Sequence, residues 1–170
     1  FLDQRLNSAA VAHYAAGARV LDGHCYHGVW SCHAARGGAA SVTAVDSSAA
    51  ALEQARQNAS LNGVQDRCTF LCGEVEQFLN DTRYDIVILD PPAYAKSRPQ
   101  TKKALSRYQA LNTAALRAVE PGGLLISSSC SHFVTPEAFI EVIKRAAAAA
   151  RRQVWLISLQ GAAPDHPVAL

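Results

Sequence analysis

Six apolar runs of four to seven residues recur along this 170-residue chain, and the segments between them carry helical periodicity. The runs cover 19–22, 41–46, 68–72, 84–90, 124–129 and 153–159. They are rich in Val, Ile and Leu with little polar alternation, the pattern of strands buried on both faces. Strands of that kind alternating with helices predict an α/β fold with a doubly wound, mostly parallel sheet.

The helices have readable ends. One covers 4–16 and stops at Gly17, and a second follows Gly28 and stops at Gly37-Gly38. The third takes Ser47 or Ser48 as N-cap, turns Leu52, Ala55 and Ala59 inward and stops near Gly63. A short helix is expected over 75–80. A longer one is expected over 104–119, with Leu105, Tyr108, Leu111 and Ala115 inward and a Pro121-Gly-Gly turn after it. The last opens with Thr135 as cap and Pro136 in its first turn, and is expected to bury Phe139, Ile140 and Ile143. With 49% hydrophobic residues and no internal repeat or linker, residues 1–170 are expected to form one domain. No apolar run reaches membrane-spanning length, and no secretory leader is expected in these residues. Five cysteines without a regular framework point to a reduced, cytoplasmic setting. The chain opens on Phe1 and contains no methionine, so it is expected to be a piece of a longer protein.

Polar residues gather where these strands end. The first five runs lead into Asp22, Asp46, Gly73-Glu74, Asp90-Pro91-Pro92 and Ser127 to His132. In doubly wound sheets the carboxyl ends of the strands form the ligand crevice, so five polar ends at one edge predict a shared cleft. Gly28 opens a helix whose N–H groups can meet an anion, Asp46 stands where a carboxylate can accept both hydroxyls of a ribose, and Glu74 can reach an adenine. The cleft therefore suits a nucleoside-bearing cofactor, although no G-x-G-x-x-G pattern is present. Cys130, flanked by Ser129 and Ser131, reads either as a small buried apolar residue or as a functional thiol at the cleft edge.

Charge is unevenly spread. Residues 91–119 hold six Lys/Arg and no acid, leaving 10 basic against 14 acidic residues elsewhere. Two readings compete: a solvated helix face, and a groove that follows nucleic-acid phosphates. His24, Cys25, His27, Cys32 and His33 resemble metal ligands, but they straddle a strand end and one helix turn rather than two compact pairs, and no metal is expected. Cys68 and Cys72, evenly spaced on one strand face, are expected in the core.

Several stretches, in order and spacing, resemble one family: FLDQR at 1–5, VLDGHCYHGVW at 20–30, VTAVDSSAAAL at 42–52, RQNASLNG at 56–63, YDIVILDPPAYAKS at 84–97, PGGLLISSSCSH at 121–132 and DHPV at 165–168. The family is the class I (Rossmann-like) S-adenosylmethionine-dependent methyltransferases that make 5-methylcytosine in large-subunit ribosomal RNA. The likeness implies S-adenosyl-L-methionine as cofactor and ribosomal RNA as partner. It places Asp22, Cys25, Tyr26 and Gly28 in the first cofactor loop, Asp46 and Ser47 at the ribose and Glu74 near the adenine. Gln4 and Arg5 match a segment near the cofactor's methionine end, though they also read as a plain helix start. Cys130 becomes the nucleophile, and Asp90 lies between the cofactor and the base's polar edge. Pro91 and Pro92 shape the wall for the base, Ser129 and Ser131 support the thiol, and Tyr94, Lys96, Arg98, Lys102 and Lys103 face RNA; Tyr108, at helix spacing, reads as core.

The chain departs from the family at Gly23 and His24, where a bulky apolar residue is usual, at His27, usually threonine, and at Val29, often small. Crowding of that loop would weaken cofactor binding. The likeness also implies a small RNA-binding domain ahead of this one and a final antiparallel strand after DHPV; neither is expected within these residues, and a sheet without that strand would have an exposed edge. Two other readings stay open: a guanine-directed RNA methyltransferase of the same fold, which needs no thiol, and a non-catalytic RNA- or nucleotide-binding module. The residues do not speak to oligomeric state.

Overall fold

The structure is a computed structural model that describes residues 4–80 and 82–164. Five strands form one sheet in the order β3-β2-β1-β4-β5: β1 Arg19–Gly23, β2 Ser41–Asp46, β3 Cys68–Cys72, β4 Tyr84–Leu89 and β5 Val119–Ser127. Every pairing is parallel. The helices are α1 Arg5–Ala10, α2 Val29–Arg36, α3 Ala49–Leu61, α4 Thr101–Ala118 and α5 Pro136–Ala150. A 3-10 turn, Val11–His13, completes what was expected as one helix to residue 16, and the short helix after β3 is a 3-10 turn over Val75–Phe78. Ser48, rather than Ser47, caps α3, its hydroxyl accepting from Ala51 N–H at 3.2 Å, and Thr135 caps α5 in the same way.

Successive strand residues point to opposite faces, which splits the core in two. Val20, Val42, Ile86 and Ile88 pack with Trp30 and Ala34 of α2 and Ala59 of α3. Leu21, Val45, Val87 and Leu89 pack with Val75 and with Leu111 and Ala115 of α4. Each fully buried aliphatic side chain contributes roughly 1.5–3 kcal/mol, so the two layers fix strand register firmly. β5 starts earlier than its apolar run because Val119 pairs with Tyr84 before the ladder resumes at Ile86 and Leu124. The irregular stretch between contains Gly123, where a Cβ would lie 2.6 Å from the Asp85 carbonyl; only glycine lets the strands approach there.

Three expectations fail. Residues 153–159 form no strand, and Trp155 and Leu156 are 74% and 67% exposed. An extended segment gains its hydrogen bonds only from a neighbour, and none pairs with it among the described residues. On α5, Ile140 and Ile143 are half-buried, because the helix instead turns Ala146 and Ala147 onto Leu116 of α4 and Val142 onto the cluster around Tyr108. Cys72 is exposed at the end of an edge strand, while Cys68 packs against the core. The DHPV stretch lies outside the described residues. Among the described residues no helix is long and apolar enough to cross a membrane.

Candidate active site at the carboxyl edge of the sheet

Register sets the polar strand ends side by side. Gly23 pairs with Val45 on one side and Leu89 on the other, and Leu89 pairs with Ser127. Asp46, Asp22, Asp90 and Ser128 therefore follow one another along neighbouring strands. At ~4.8 Å per strand the row is about 14 Å long, the reach of a nucleoside plus an adjoining base.

Asp22 is fully buried. Its Oδ2 accepts the Ser31 N–H at 2.9 Å and the Ser31 hydroxyl at 2.5 Å, while its Oδ1 has no partner among the described residues. Burial pushes its carboxyl up to about 7; the Ser31 hydroxyl pulls the other way, and Asp90 and Asp46 add to the rise. A buried carboxylate oxygen with no partner among the described residues, next to two more carboxylates, matches a cationic ligand. Asp46 accepts the Tyr26 N–H at 2.9 Å on one oxygen and the Ser48 N–H at 2.8 Å on the other. Each oxygen keeps a lone pair for a ribose hydroxyl.

The first loop bends sharply through His24 and Tyr26, both with left-handed backbone, before Gly28 (φ 72°) starts α2. At Gly23 a Cβ would fall 2.7 Å from Val75 Cγ1, so a bulky residue does not fit beside this Val75. Cys25 is buried against Ala44 and Leu52, its N–H donates to the Val45 carbonyl at 3.0 Å, and burial pushes its thiol up. Tyr26 is exposed and stacks on His27 with ring centroids 3.7 Å apart. His24 has a buried Nε2 without a partner among the described residues, and burial lowers its pKa. Ser47 and Glu74 are exposed at the rim. Gln4 precedes α1 and accepts from Asn7 Nδ2 at 2.9 Å; Arg5 begins the helix and is exposed. Among the described residues no group of three or more His, Cys, Asp or Glu could hold a metal ion. His27, Cys32 and His33 border a small hollow between α2 and α3 instead.

On the other flank, Asp90 has both oxygens engaged: Trp30 Nε1–H donates to Oδ2 at 3.2 Å, and the Ser128 hydroxyl donates to Oδ1. Cys130 is exposed, and its thiol donates to the Pro91 carbonyl at 3.5 Å. Pro91 is buried and Pro92 exposed, so the sulfur sits beside a proline wall open to solvent. The serines beside it differ in use. Ser129 Oγ accepts the Ser131 N–H at 3.3 Å. Ser131 is only 3% exposed; its Oγ accepts the Ala95 N–H at 3.1 Å and pairs with the fully buried Tyr108 hydroxyl at 2.9 Å. Ser131 thus ties the loop after β4 to the loop after β5 rather than facing the cleft. Tyr108→Phe removes one buried bond from this tie, and urea denaturation should show a loss of about 1 kcal/mol; an unchanged midpoint would mean that the tie holds nothing.

Tyr94 is half-buried, with the Arg107 guanidinium 4.0 Å over its ring and the Tyr108 ring 4.6 Å away. Burial pushes its hydroxyl up to about 12. Lys96, Arg98, Lys102 and Lys103 are all exposed. Lys102 and Lys103 stand in the first turn of α4, which has no acid, where the helix dipole disfavours cations. Trp30 and Ser31 were not singled out in the sequence, and Ser128 only as part of the polar end of its strand. Trp30 and Ser31 look like ordinary helix residues, and only the fold shows that adjacent positions on α2 reach carboxylates on two different strands.

The family model for S-adenosylmethionine-dependent methyltransferases matches residues 1–166. The chain belongs to that family. Similar proteins include the ribosomal RNA large subunit methyltransferase I of Aeromonas hydrophila, 38% identical over 99% of this chain and 44% of that protein. The Shewanella denitrificans protein of the same name is 36% identical with the same coverage. The chain thus spans less than half the length of these relatives. Among solved structures, the methyltransferase SMU.776 complexed with SAH has a TM-score of 0.86 at 26% identity, covering 100% of this chain and 46% of that one. The unsatisfied Asp22 oxygen and the Asp46 lone pairs fit the methyltransferase cofactor, whose sulfonium and ammonium are cationic and whose ribose offers two hydroxyls.

Proposed function

We propose that this methyltransferase acts on carbon 5 of a cytosine in RNA, in large-subunit ribosomal RNA by analogy with the names of its relatives. The observation that carries the reading is the exposed Cys130 thiol beside Pro91, after strand β5, which neighbours the strand leading to Asp90 and lies two strands from β1 with Asp22. Bound S-adenosylmethionine supplies an activated methyl group. The chain's own part is to make the base nucleophilic. The Cys130 thiolate adds to carbon 6 of the ring, carbon 5 takes the methyl group, and loss of the carbon-5 proton expels the thiolate and restores the double bond. The thiolate rather than the thiol is the attacking form. Asp90 meets the polar edge of the cytosine, and Pro91-Pro92 form the wall beside it. Nucleoside mass spectrometry after incubation with unmodified ribosomal RNA should show 5-methylcytosine; methylated guanine would instead support the guanine-directed reading, and no cofactor binding in calorimetry the non-catalytic one.

The basic segment after Asp90-Pro-Pro is read as the RNA track. Two lysines placed against a helix dipole without local acids are stabilised once a phosphate approaches. Substituting Lys96, Arg98, Lys102 and Lys103 together should weaken RNA binding by about a hundredfold in 150 mM salt and flatten its salt dependence by roughly three to four counterions. Equal salt slopes for the two proteins would return these residues to a solvated helix face.

A further inference from the structure

Adjacent residues at the start of α2 hold two carboxylates that belong to different halves of the cleft. Ser31 engages Asp22 on the cofactor side through its N–H and its hydroxyl. Trp30, 5% exposed and packed in the core, engages Asp90 on the substrate side through its indole N–H. Asp90 is also held by Ser128, two residues before Cys130. The indole ring is buried among Val20, Ala34 and Ile88 and has little freedom to move, so its donor is a fixed point. Without it, the Asp90 side chain keeps one bond, to Ser128 on an irregular loop, and can turn.

We propose that Trp30 is a positioning residue for methyl transfer: its indole N–H, together with the Ser128 hydroxyl, holds the Asp90 carboxylate in one orientation, and α2 thereby fixes the distance between the cofactor half and the substrate half of the cleft. The inference rests on the carbon-5 reading above and deepens it. Both Asp90 oxygens accept one bond from the protein, and the remaining lone pairs are aimed by those bonds at the base. The thiol loop is held through the same carboxylate, because Ser128 and Cys130 belong to one short segment after β5.

Trp30→Phe keeps the ring and most of the packing while deleting the donor. With the full chain, this variant is expected to lose about tenfold in kcat on RNA, the rate equivalent of one bond to a charged group, with KM for S-adenosylmethionine within about twofold of the parent. Ser128→Ala should give a similar loss. The double variant should fall short of the product of the two, because both act through one carboxylate. A second readout needs no turnover: the pH profile of iodoacetamide alkylation at Cys130, followed by peptide mass spectrometry. A carboxylate released from Trp30 can swing toward the thiol and disfavour its anion, so alkylation at pH 8 should slow by about threefold in Trp30→Phe. Unchanged kcat in Trp30→Phe, or losses that multiply, overturns the proposal. If the parent chain makes no 5-methylcytosine, the carbon-5 reading falls separately, and the alkylation profile decides on Trp30: a profile identical to the parent's overturns it, a slowed one upholds it.

Discussion

Cys130→Ala will retain the fold and the cofactor affinity and lose at least about a thousandfold in 5-methylcytosine formation, the scale seen when an enzyme nucleophile is removed. The stability half of this expectation follows from exposure. The side chain lies on the surface beside Pro91, and its thiol donates to the Pro91 carbonyl at a long 3.5 Å. A substitution at such a position shifts stability by no more than about 0.5 kcal/mol. The proposed cofactor carboxylates, Asp22 and Asp46, belong to strands β1 and β2, so cofactor affinity should not change. Cys130→Ser is the sharper variant. A hydroxyl keeps the size and hydrogen-bonding capacity but ionises far less readily, and activity should be lost almost as fully. Nucleoside mass spectrometry on the two variants checks this. Activity in Cys130→Ala within tenfold of the parent would mean that the thiol is not the nucleophile.

Asp22→Asn should make the unliganded protein more stable at pH 8 while costing about a hundredfold in S-adenosylmethionine affinity. The folded-state pKa of about 7 stands above the ordinary 3.8, so the fold resists ionising this carboxyl. The stability linked to it is fully present below pH 3.8 and is lost as pH rises through about 7. Three pKa units correspond to about 4 kcal/mol. An amide offers Ser31 the same acceptor but leaves a buried N–H in place of the bare Oδ1, at a cost of about 1–3 kcal/mol. The net gain is about 2 kcal/mol at pH 8, crosses zero at about pH 5 and turns into a loss of about 1–2 kcal/mol at pH 4. Thermal melts of both proteins from pH 4 to 8 display the crossing. In the parent, affinity for the cationic cofactor should rise between pH 6 and 8 as Asp22 ionises, while in Asp22→Asn it should stay flat. A variant that is less stable at pH 8 and binds cofactor normally would remove Asp22 from the site.

The parallel sheet was legible because each of its five strands is an apolar run with little alternation, ended by Gly, Asp or Ser. Strand ends were legible to within a residue or two where a polar residue closed the run, as at Asp46. The run at 153–159 has the same composition and forms no strand, because composition reports what a segment can do and pairing depends on a neighbour. The candidate site was legible as a gathering of strand ends, since the doubly wound topology brings those ends to one edge whatever the details. What stayed hidden was the support beneath them. Trp30 and Tyr108 have the spacing of ordinary core residues, and a buried aromatic ring is silent in sequence about the polar atom it carries. Ser131 looked like a partner of the thiol, yet its side chain turns inward to Tyr108 and Ala95. Neighbours in the chain face opposite ways in an extended loop, and only the coordinates say which way.

Denaturing mass spectrometry of the chain after incubation with S-adenosylmethionine and RNA carrying 5-fluorocytosine tests the thiol route most directly. Fluorine at carbon 5 leaves no proton to remove after methyl transfer, so the bond between sulfur and carbon 6 cannot break. A methylated RNA adduct mapped to the peptide containing Cys130, and absent in Cys130→Ala, is the predicted result. Formation of 5-methylcytosine on ordinary RNA with no adduct on the fluorinated substrate, or an adduct at another cysteine, would contradict it.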